Sequence, residues 1–249
     1  MTLPGCSQNQ RNQSRPWELV FQDSGTKDWS QHWFKDGERS TVNNTPQGMV
    51  FSAGPVFGDN GSHSVLWTKQ VFDGDIKIEF DYTRLDDIDR AVNILYIQAT
   101  GTGKGPYHTD IAKWSHLRQV PYMRSYFLNM NLLHISFAAF PNDDGEHTDY
   151  VRARVYPVPE GGKFGKDTRL LPDNFDTGLF QPGVTYHFTV TKTGHSLSFK
   201  VAESGSQNSK EFKWDTSAFH EISSGRIGIR HMYTRAARYA NVKIYRMVD

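Results

Sequence analysis

Between positions 150 and 156 the chain reads Tyr-Val-Arg-Ala-Arg-Val-Tyr. In an extended strand successive side chains point to opposite faces. Val151, Ala153 and Val155 therefore share one face, and Tyr150, Arg152, Arg154 and Tyr156 share the other. Most strands with such a face are solvated, their guanidiniums pairing with nearby acids. Two neighbouring arginines between tyrosines, with a histidine on a neighbouring strand, favour a concave binding face instead. That histidine is His134: in residues 133–137 the apolar Leu133, Ile135 and Phe137 alternate with it, so His134, Ser136 and Ala138 share the opposite face. Arginine meets a carboxylate or sulfate bidentately, so the ligand expected carries a carboxylate or a sulfate.

Other candidates flank this pair. Tyr96 and Gln98 share a side of residues 91–99 if Leu95 and Ile97 are core, and Arg230 shares a face with Gly228 and Met232. Residues 101–130 break the strand rhythm with a long polar and aromatic stretch, with a helical turn expected near 122–130. Long loops in compact domains are usually functional or disordered, and the aromatic content argues against disorder. It is expected to roof one end of a cleft, with Trp114 either stacking on sugar or anchoring the loop, and His116 and Arg118 reaching the ligand. His108 and Asp110, two residues apart, lack a third metal ligand in the sequence. Asp23 near the first strand and Asn241 near the last are candidates for a structural calcium ion, if the terminal strands pair.

The elements that must position these groups are strands. Ile76, Ile78, Phe80 and Tyr82 alternate with Lys77, Glu79 and Asp81, the period of a half-buried strand. Similar runs fall at 91–99, 132–140, 150–156, 184–191, 196–202, 226–232 and 239–247. Clusters such as Gly58-Asp59-Asn60-Gly61, Asp143-Asp144-Gly145 and Lys192-Thr193-Gly194 are turn chemistry between antiparallel neighbours. Many short strands at this spacing predict an all-β fold, a two-sheet antiparallel sandwich. The 249 residues show no linker between two cores, so residues 17–249 are read as one domain. Its 28 basic and 27 acidic residues nearly cancel, which leaves no whole-chain field for nucleic acid. A single cysteine, Cys6, excludes an internal disulfide and a cysteine-based zinc site. Leu3-Pro4-Gly5-Cys6 followed by a polar run has the form of a lipoprotein cleavage box with its tether over residues 1–16, although no apolar stretch precedes it. It predicts export to the periplasm or exterior, with a membrane tether through a lipidated Cys6.

Trp17-Glu18-Leu19-Val20-Phe21-Gln22-Asp23, the pair Trp29 and Trp33, and Asn241-Val242-Lys243-Ile244-Tyr245 resemble the ends of concanavalin A-like jelly rolls. Three inner blocks are similar to the bacterial YesU-like family: residues 96–103 (Tyr-Ile-Gln-Ala-Thr-Gly-Thr-Gly), 114–118 (Trp-Ser-His-Leu-Arg), and 134–140 leading to Asp149-Tyr150-Val151-Arg152-Ala153-Arg154. The similarity runs from residue 17 through nearly the whole chain. It implies a two-sheet jelly roll and a link with degradation of plant-type acidic polysaccharides.

Three functions follow as expectations. A polysaccharide lyase would neutralise a uronate carboxylate with Arg152 and Arg154, remove the C5 proton with His134, and protonate the leaving oxygen with Tyr96 or Tyr150. Gln98, Trp114, His116, Arg118, Ser136, Tyr156 and Arg230 would bind substrate, and no metal or cofactor is required. A glycoside hydrolase would need two opposed carboxylates. Glu79 and Asp81 face together, but Glu79-Phe80-Asp81-Tyr82-Thr83-Arg84 ends in arginine where the common jelly-roll motif has glutamate. A non-catalytic carbohydrate-binding protein would keep the arginines and aromatics and need neither acid nor base.

Overall fold

The computed structural model describes residues 16–141 and 146–248. The tether expected over residues 1–16, with Cys6, lies outside them except for Pro16, and so does the turn Asp143-Asp144-Gly145. The described residues form sixteen strands: β1 (Trp17–Asp23), β2 (Trp33–Asp36), β3 (Thr41–Thr45), β4 (Gly48–Ser52), β5 (Ser64–Thr68), β6 (Phe72–Asp73), β7 (Ile76–Arg84), β8 (Ala91–Gly101), β9 (Met130–Phe140), β10 (Tyr150–Tyr156), β11 (Arg169–Phe175), β12 (Thr185–Thr193), β13 (Ser196–Glu203), β14 (Ser209–Asp215), β15 (Ser224–His231) and β16 (Ala236–Met247). One α-helix, α1 (Met123–Asn129), precedes β9.

The strands pair antiparallel into two eight-stranded sheets. The first runs β14-β13-β12-β7-β16-β4-β3, with β1 also on β16; the second runs β11-β10-β9-β8-β15-β5-β2, with β6 on β15. This is the all-β, two-sheet jelly-roll sandwich expected from the period-two pattern. The alternation buries one side of each strand between the sheets. Ile78, Phe80 and Tyr82 of the first sheet meet Leu133, Ile135, Phe137, Val151 and Ala153 of the second in one apolar core. Burying a side chain of this size stabilises by about 1.5–3 kcal/mol, so a register slip that turned such a row outward would lose many times that.

Bulges interrupt the alternation at three of the positions read from sequence. Gln98, Ala138 and Asn241 all have positive φ, at 52°, 42° and 54°. Each sits at a register shift: in the β8–β9 ladder for Gln98, and in the β16–β7 ladder for Asn241. An extra residue turns the following side chains over. Ala138, expected beside His134, therefore joins the inter-sheet core. Gln98 is turned away from Tyr96: its Nε2 donates to the carbonyls of Phe72, Gly74 and Ser223 at 3.0–3.1 Å. Its role is to tie three segments together, not to hold ligand.

The terminal strands do pair, Asp23 opposite Val242. The side chains expected to hold calcium are nevertheless spoken for. Asp23 Oδ1 accepts from the Gly25 amide at 2.8 Å and Oδ2 from Trp33 Nε1 at 2.7 Å, which fastens β1 of one sheet to β2 of the other. The bulge points Asn241 Nδ2 at Asp81 Oδ2, 2.7 Å away. The pair does not fit a calcium site, and among the described residues no group of three or more His, Cys, Asp or Glu side chains could hold a metal ion. Removing the Asp23 carboxylate leaves a buried indole N–H without an acceptor. Asp23→Ala should lower stability by about 1–3 kcal/mol, equally with calcium added or chelated. A thermal melt in which calcium raises the midpoint of the parent but not of the variant would restore the metal reading.

Candidate functional site

Strand register assembles the site across the outer face of the second sheet. In the six strands β10, β9, β8, β15, β5 and β2, Arg154, His134, Tyr96, Gly228, Trp67 and Phe34 lie opposite one another in a row. The adjacent row on the same face is Arg152, Ser136, Ile94, Arg230, Val65 and Asp36. Sequence reasoning placed His134, Ser136, Arg152, Arg154, Tyr96 and Arg230 on outward faces, and the ladder brings all six onto this one. Gly228 is where the first row needs a residue without Cβ: a Cβ there would lie 2.3 Å from Trp67 Cζ3, so the indole lies flat over the strand.

The long segment after β8 covers this face. It carries a 3-10 run, Ile111–Arg118, and then α1. Its fixing point is Asp36, whose Oδ2 accepts from Trp67 Nε1 at 2.7 Å, Arg118 Nε at 2.5 Å and Tyr126 OH at 2.9 Å. The Arg118 and Asp36 side chains are fully buried. Arg118 also donates to the carbonyls of Trp114 and Ile111 and stacks 4.1 Å over the Trp114 ring. Trp114 is buried, with Nε1 donating to His108 O at 2.8 Å. Trp114 therefore anchors the loop and Arg118 staples it; neither presents itself to a sugar. His116 is exposed and lines a cleft of about 540 Å³ with Lys35, Glu38, Ser115 and Gln119, over Asp36 and Arg118. Asp110 caps the 3-10 run and pairs with Arg226 at 3.0 Å.

Beneath the cover, Trp67, Tyr96 and Tyr126 pack as nearly parallel rings, Tyr96 lying 5.4 Å from Trp67 and 6.0 Å from Tyr126. His134 is buried between Tyr156 OH, 2.7 Å from Nδ1, and Ser136 Oγ, 2.5 Å from Nε2. Burial, then the charges of Arg154, Arg230 and Arg152, hold the His134 pKa well below the ordinary histidine value. The imidazole is thus neutral, donating from one nitrogen and accepting at the other. Burial pushes the phenols the other way, Tyr96 up to about 12 and Tyr156 well above the ordinary tyrosine value. Both stay protonated at neutral pH.

The arginines differ in what satisfies them. Arg152 Nε lies 2.8 Å from Asp173 Oδ2, which also takes Arg169 at 2.7 Å, and the Arg152 guanidinium stacks 4.4 Å over Tyr150. Arg230 Nη2 donates to His63 Nδ1 and to Pro121 O, each at 2.7 Å, leaving Nε and Nη1 buried without a partner. Accepting from a cation, His63 Nδ1 carries no proton; burial and then the Arg230 charge pull its pKa to about 3. Arg154 makes no hydrogen bond or ion pair among the described residues. Its Nη1 is buried without a partner, and its guanidinium rests 4.7 Å over the ring of Phe164.

Glu79 and Asp81 lie elsewhere. With Ile78, Phe80 and Tyr82 turned into the core, they project from the outer face of the first sheet, across the sandwich from Arg154. Glu79 pairs with Lys77 at 2.8 Å, and Asp81 with His187 at 2.8 Å and Asn241. They cannot share a ligand with the arginines.

Sequence reasoning missed Asp36, His63, Trp67, Tyr126, Phe164 and Asp173. Asp173 left one signal: it stands four residues after Arg169, hence on the same side of a strand. Asp36 left none, because its partners are 31, 82 and 90 residues away.

No protein-family model and no curated protein sequence matches the chain. Solved structures do match in fold. A Bacillus subtilis protein of unknown function with a galectin-like fold superposes with a TM-score of 0.65 at 15% identity, over 92% of this chain and 98% of that one. The exoplasmic/lumenal domain of VIP36, bound to Ca2+ and Man3GlcNAc, gives 0.61 at 10% identity, over 93% and 92%. Winged bean acidic lectin complexed with methyl-α-D-galactose gives 0.59 at 7% identity, over 92% and 98%. At these identities the likeness is one of fold: the chain is a two-sheet jelly-roll sandwich.

Proposed function

We propose that this protein binds an acidic saccharide on the outer face of its second sheet, with Arg154 as the receptor for a carboxylate or sulfate. The observation that carries this reading is the unpaired Arg154 guanidinium with a buried Nη1. An unpaired buried cation is destabilising by several kcal/mol unless an anion compensates it. The nearest acid, Asp173, is shared between Arg152 and Arg169. A planar anion arriving at Arg154 would supply the missing acceptors and offset that cost. VIP36 and winged bean lectin, two proteins of like fold, hold sugars in their own structures, which supports a saccharide as the carrier of the anion. So does the resemblance to the YesU-like family, with its link to acidic polysaccharides, and the export that the Cys6 motif predicts fits an extracellular polymer.

The reaction this site would support is β-elimination. Arg154 would neutralise the uronate carboxylate while neutral His134 takes the C5 proton; the C5–H electron pair forms the C4=C5 double bond as the C4–O bond breaks, and Tyr156 gives its proton to the leaving oxygen and regains one from His134 across their 2.7 Å contact. Tyr156 replaces Tyr96 and Tyr150 in that role, because it is the tyrosine bonded to His134. Tyr96 points its hydroxyl at Met123 Sδ, 3.7 Å away. Hydrolysis through Glu79 and Asp81 is not available at this face.

Arg154→Gln should weaken calorimetric binding of oligogalacturonate about tenfold to a hundredfold, the value of about 1.5–3 kcal/mol for a hydrogen bond to a charged group, and leave the melting temperature unchanged or raised. Binding that is indifferent to Arg154 would remove the proposal. Elimination is read separately, from the ultraviolet absorbance of the unsaturated uronate. If His134→Gln abolishes that absorbance but not binding, the protein is a lyase; if the parent shows binding without absorbance, it is a binding protein.

The pH dependence of binding has a definite sign. A histidinium receptor would lose affinity as pH rose through about 6.5. His134 titrates well below that, and arginine stays charged throughout. Affinity should therefore be flat from about pH 5 to pH 8, where the uronate is ionised throughout. A tenfold fall across neutrality would assign anion binding to a histidine instead.

A further inference from the structure

An aromatic ring covers the Arg154 guanidinium. Phe164 belongs to the segment between β10 and β11, stacks on Phe127 of α1 with centroids 4.4 Å apart at 22°, touches Tyr156 at 6.1 Å, and covers the Arg154 guanidinium at 4.7 Å. Its own ring is 41% exposed, although the cation beneath is mostly buried.

The segment that carries Phe164 is tied at both ends and free between them. Val158 N donates to Phe127 O, and Val155 N to Thr168 O, each at 2.8 Å. Among the described residues, every hydrogen bond made by residues 159–167 closes within 159–168. These are Gly162 N to Pro159 O, Asp167 N to Lys163 O, Lys163 N to Asp167 Oδ2, and Gly165 N to Thr168 Oγ1. Gly165, at φ +89°, makes the turn after Phe164 and brings the backbone close to Arg154, where a Cβ would be 3.6 Å from Nη1. A unit whose hydrogen bonds close within it, and whose Phe164 ring rests on Phe127, Tyr156 and Arg154, can swing without breaking those hydrogen bonds. Local opening of this kind costs far less than global unfolding.

We infer that Phe164 is the gate of the Arg154 site, and that an acidic saccharide reaches the guanidinium by displacing residues 159–166 as one flap. The inference rests on Arg154 as the anion receptor, and it makes Phe164 a residue that decides which ligands enter. Ring and anion compete for the same cation. A ligand must offer both a charge for Arg154 and a surface for the displaced ring, which an acidic sugar has and a free inorganic anion has not.

The gate is tested without any saccharide by the rate at which phenylglyoxal modifies Arg154 in the folded protein, read by peptide mass spectrometry. Arg169, whose side chain is 42% exposed, is the internal reference. Arg154 should react more slowly than Arg169 in the parent, and Phe164→Ala should speed Arg154 about tenfold, the scale of one lost aromatic pair, with Arg169 unchanged. Phe164→Leu keeps the apolar bulk without the stack and should move the rate in the same direction if the alanine variant does not fold. Equal rates for Arg154 and Arg169 in the parent, or no acceleration in a folded variant, would overturn the gate. A parallel reaction with trigalacturonate separates the two readings. Protection of Arg154 supports receptor and gate together; acceleration by Phe164→Ala without protection keeps the gate and removes the acidic sugar.

Discussion

One carboxylate oxygen, Asp36 Oδ2, holds the outer face of the second sheet together. It takes donors from Trp67 on the sheet, Arg118 on the 3-10 run and Tyr126 on α1. Removing a carboxylate and a guanidinium from water is costly, and mutual attraction repays it only where further hydrogen bonds complete the site. Here Oδ2 takes three donors, Arg118 spends its other nitrogens on the Ile111 and Trp114 carbonyls and the Trp114 ring lies beneath it, while Asp36 Oδ1 is left buried without a partner. The cover over Tyr96 and His134 is therefore set by a buried polar joint as well as by apolar contact, and the joint dictates direction where apolar contact would tolerate sliding.

That joint explains the protonation states around it. With α1 and the 3-10 run in place, His134, Tyr96 and Tyr156 are shut away from water, and each is driven toward its neutral form. Arginine cannot follow them, because its guanidinium stays protonated at any accessible pH. Burial that silences histidine and tyrosine thus leaves Arg154 and Arg230 as concentrated, under-solvated positive charge. The electrostatics of the site come from the residue type least able to escape burial.

The fold and the faces of most site residues were legible because a strand has period two and the apolar residues keep it. Leu133, Ile135 and Phe137 marked the buried side of β9, so His134 and Ser136 were assigned correctly. The reading failed where a bulge inverted the period, at Ala138 and Gln98, since nothing in either residue type announces positive φ as glycine would. It failed differently at Trp114 and Arg118. Their types fit sugar stacking and anion binding well; what turned Arg118 inward was Asp36, 82 residues away in the sequence, and Trp114 went in beneath it with its indole N–H on the His108 carbonyl. Local pattern assigns a side; it does not say who is waiting there.

The lone position of Arg154 has the same kind of origin. Arg152 and Arg154 share a face and a chemistry, and the sequence treats them alike. What separates them is the pairing of β10 with β11, where Val151 stands opposite Asn174 and Ala153 opposite Leu170. Between those pairs β10 spends one residue, Arg152, while β11 spends three, Leu171, Pro172 and Asp173. Continuing the Tyr150–Phe175 and Val151–Asn174 register puts Asp173 beside Arg152, and Arg169 closes on the same oxygen from four residues before it. Past the bulge, Arg154 faces Arg169, which is already engaged, and it makes no ion pair among the described residues. Continued without the bulge, that register would have set Leu171, not a second cation, opposite Arg154. One of two arginines on the same face thus stands in an ion pair with Asp173, while two extra residues in an edge strand set the other opposite a cation and leave it in search of an anion.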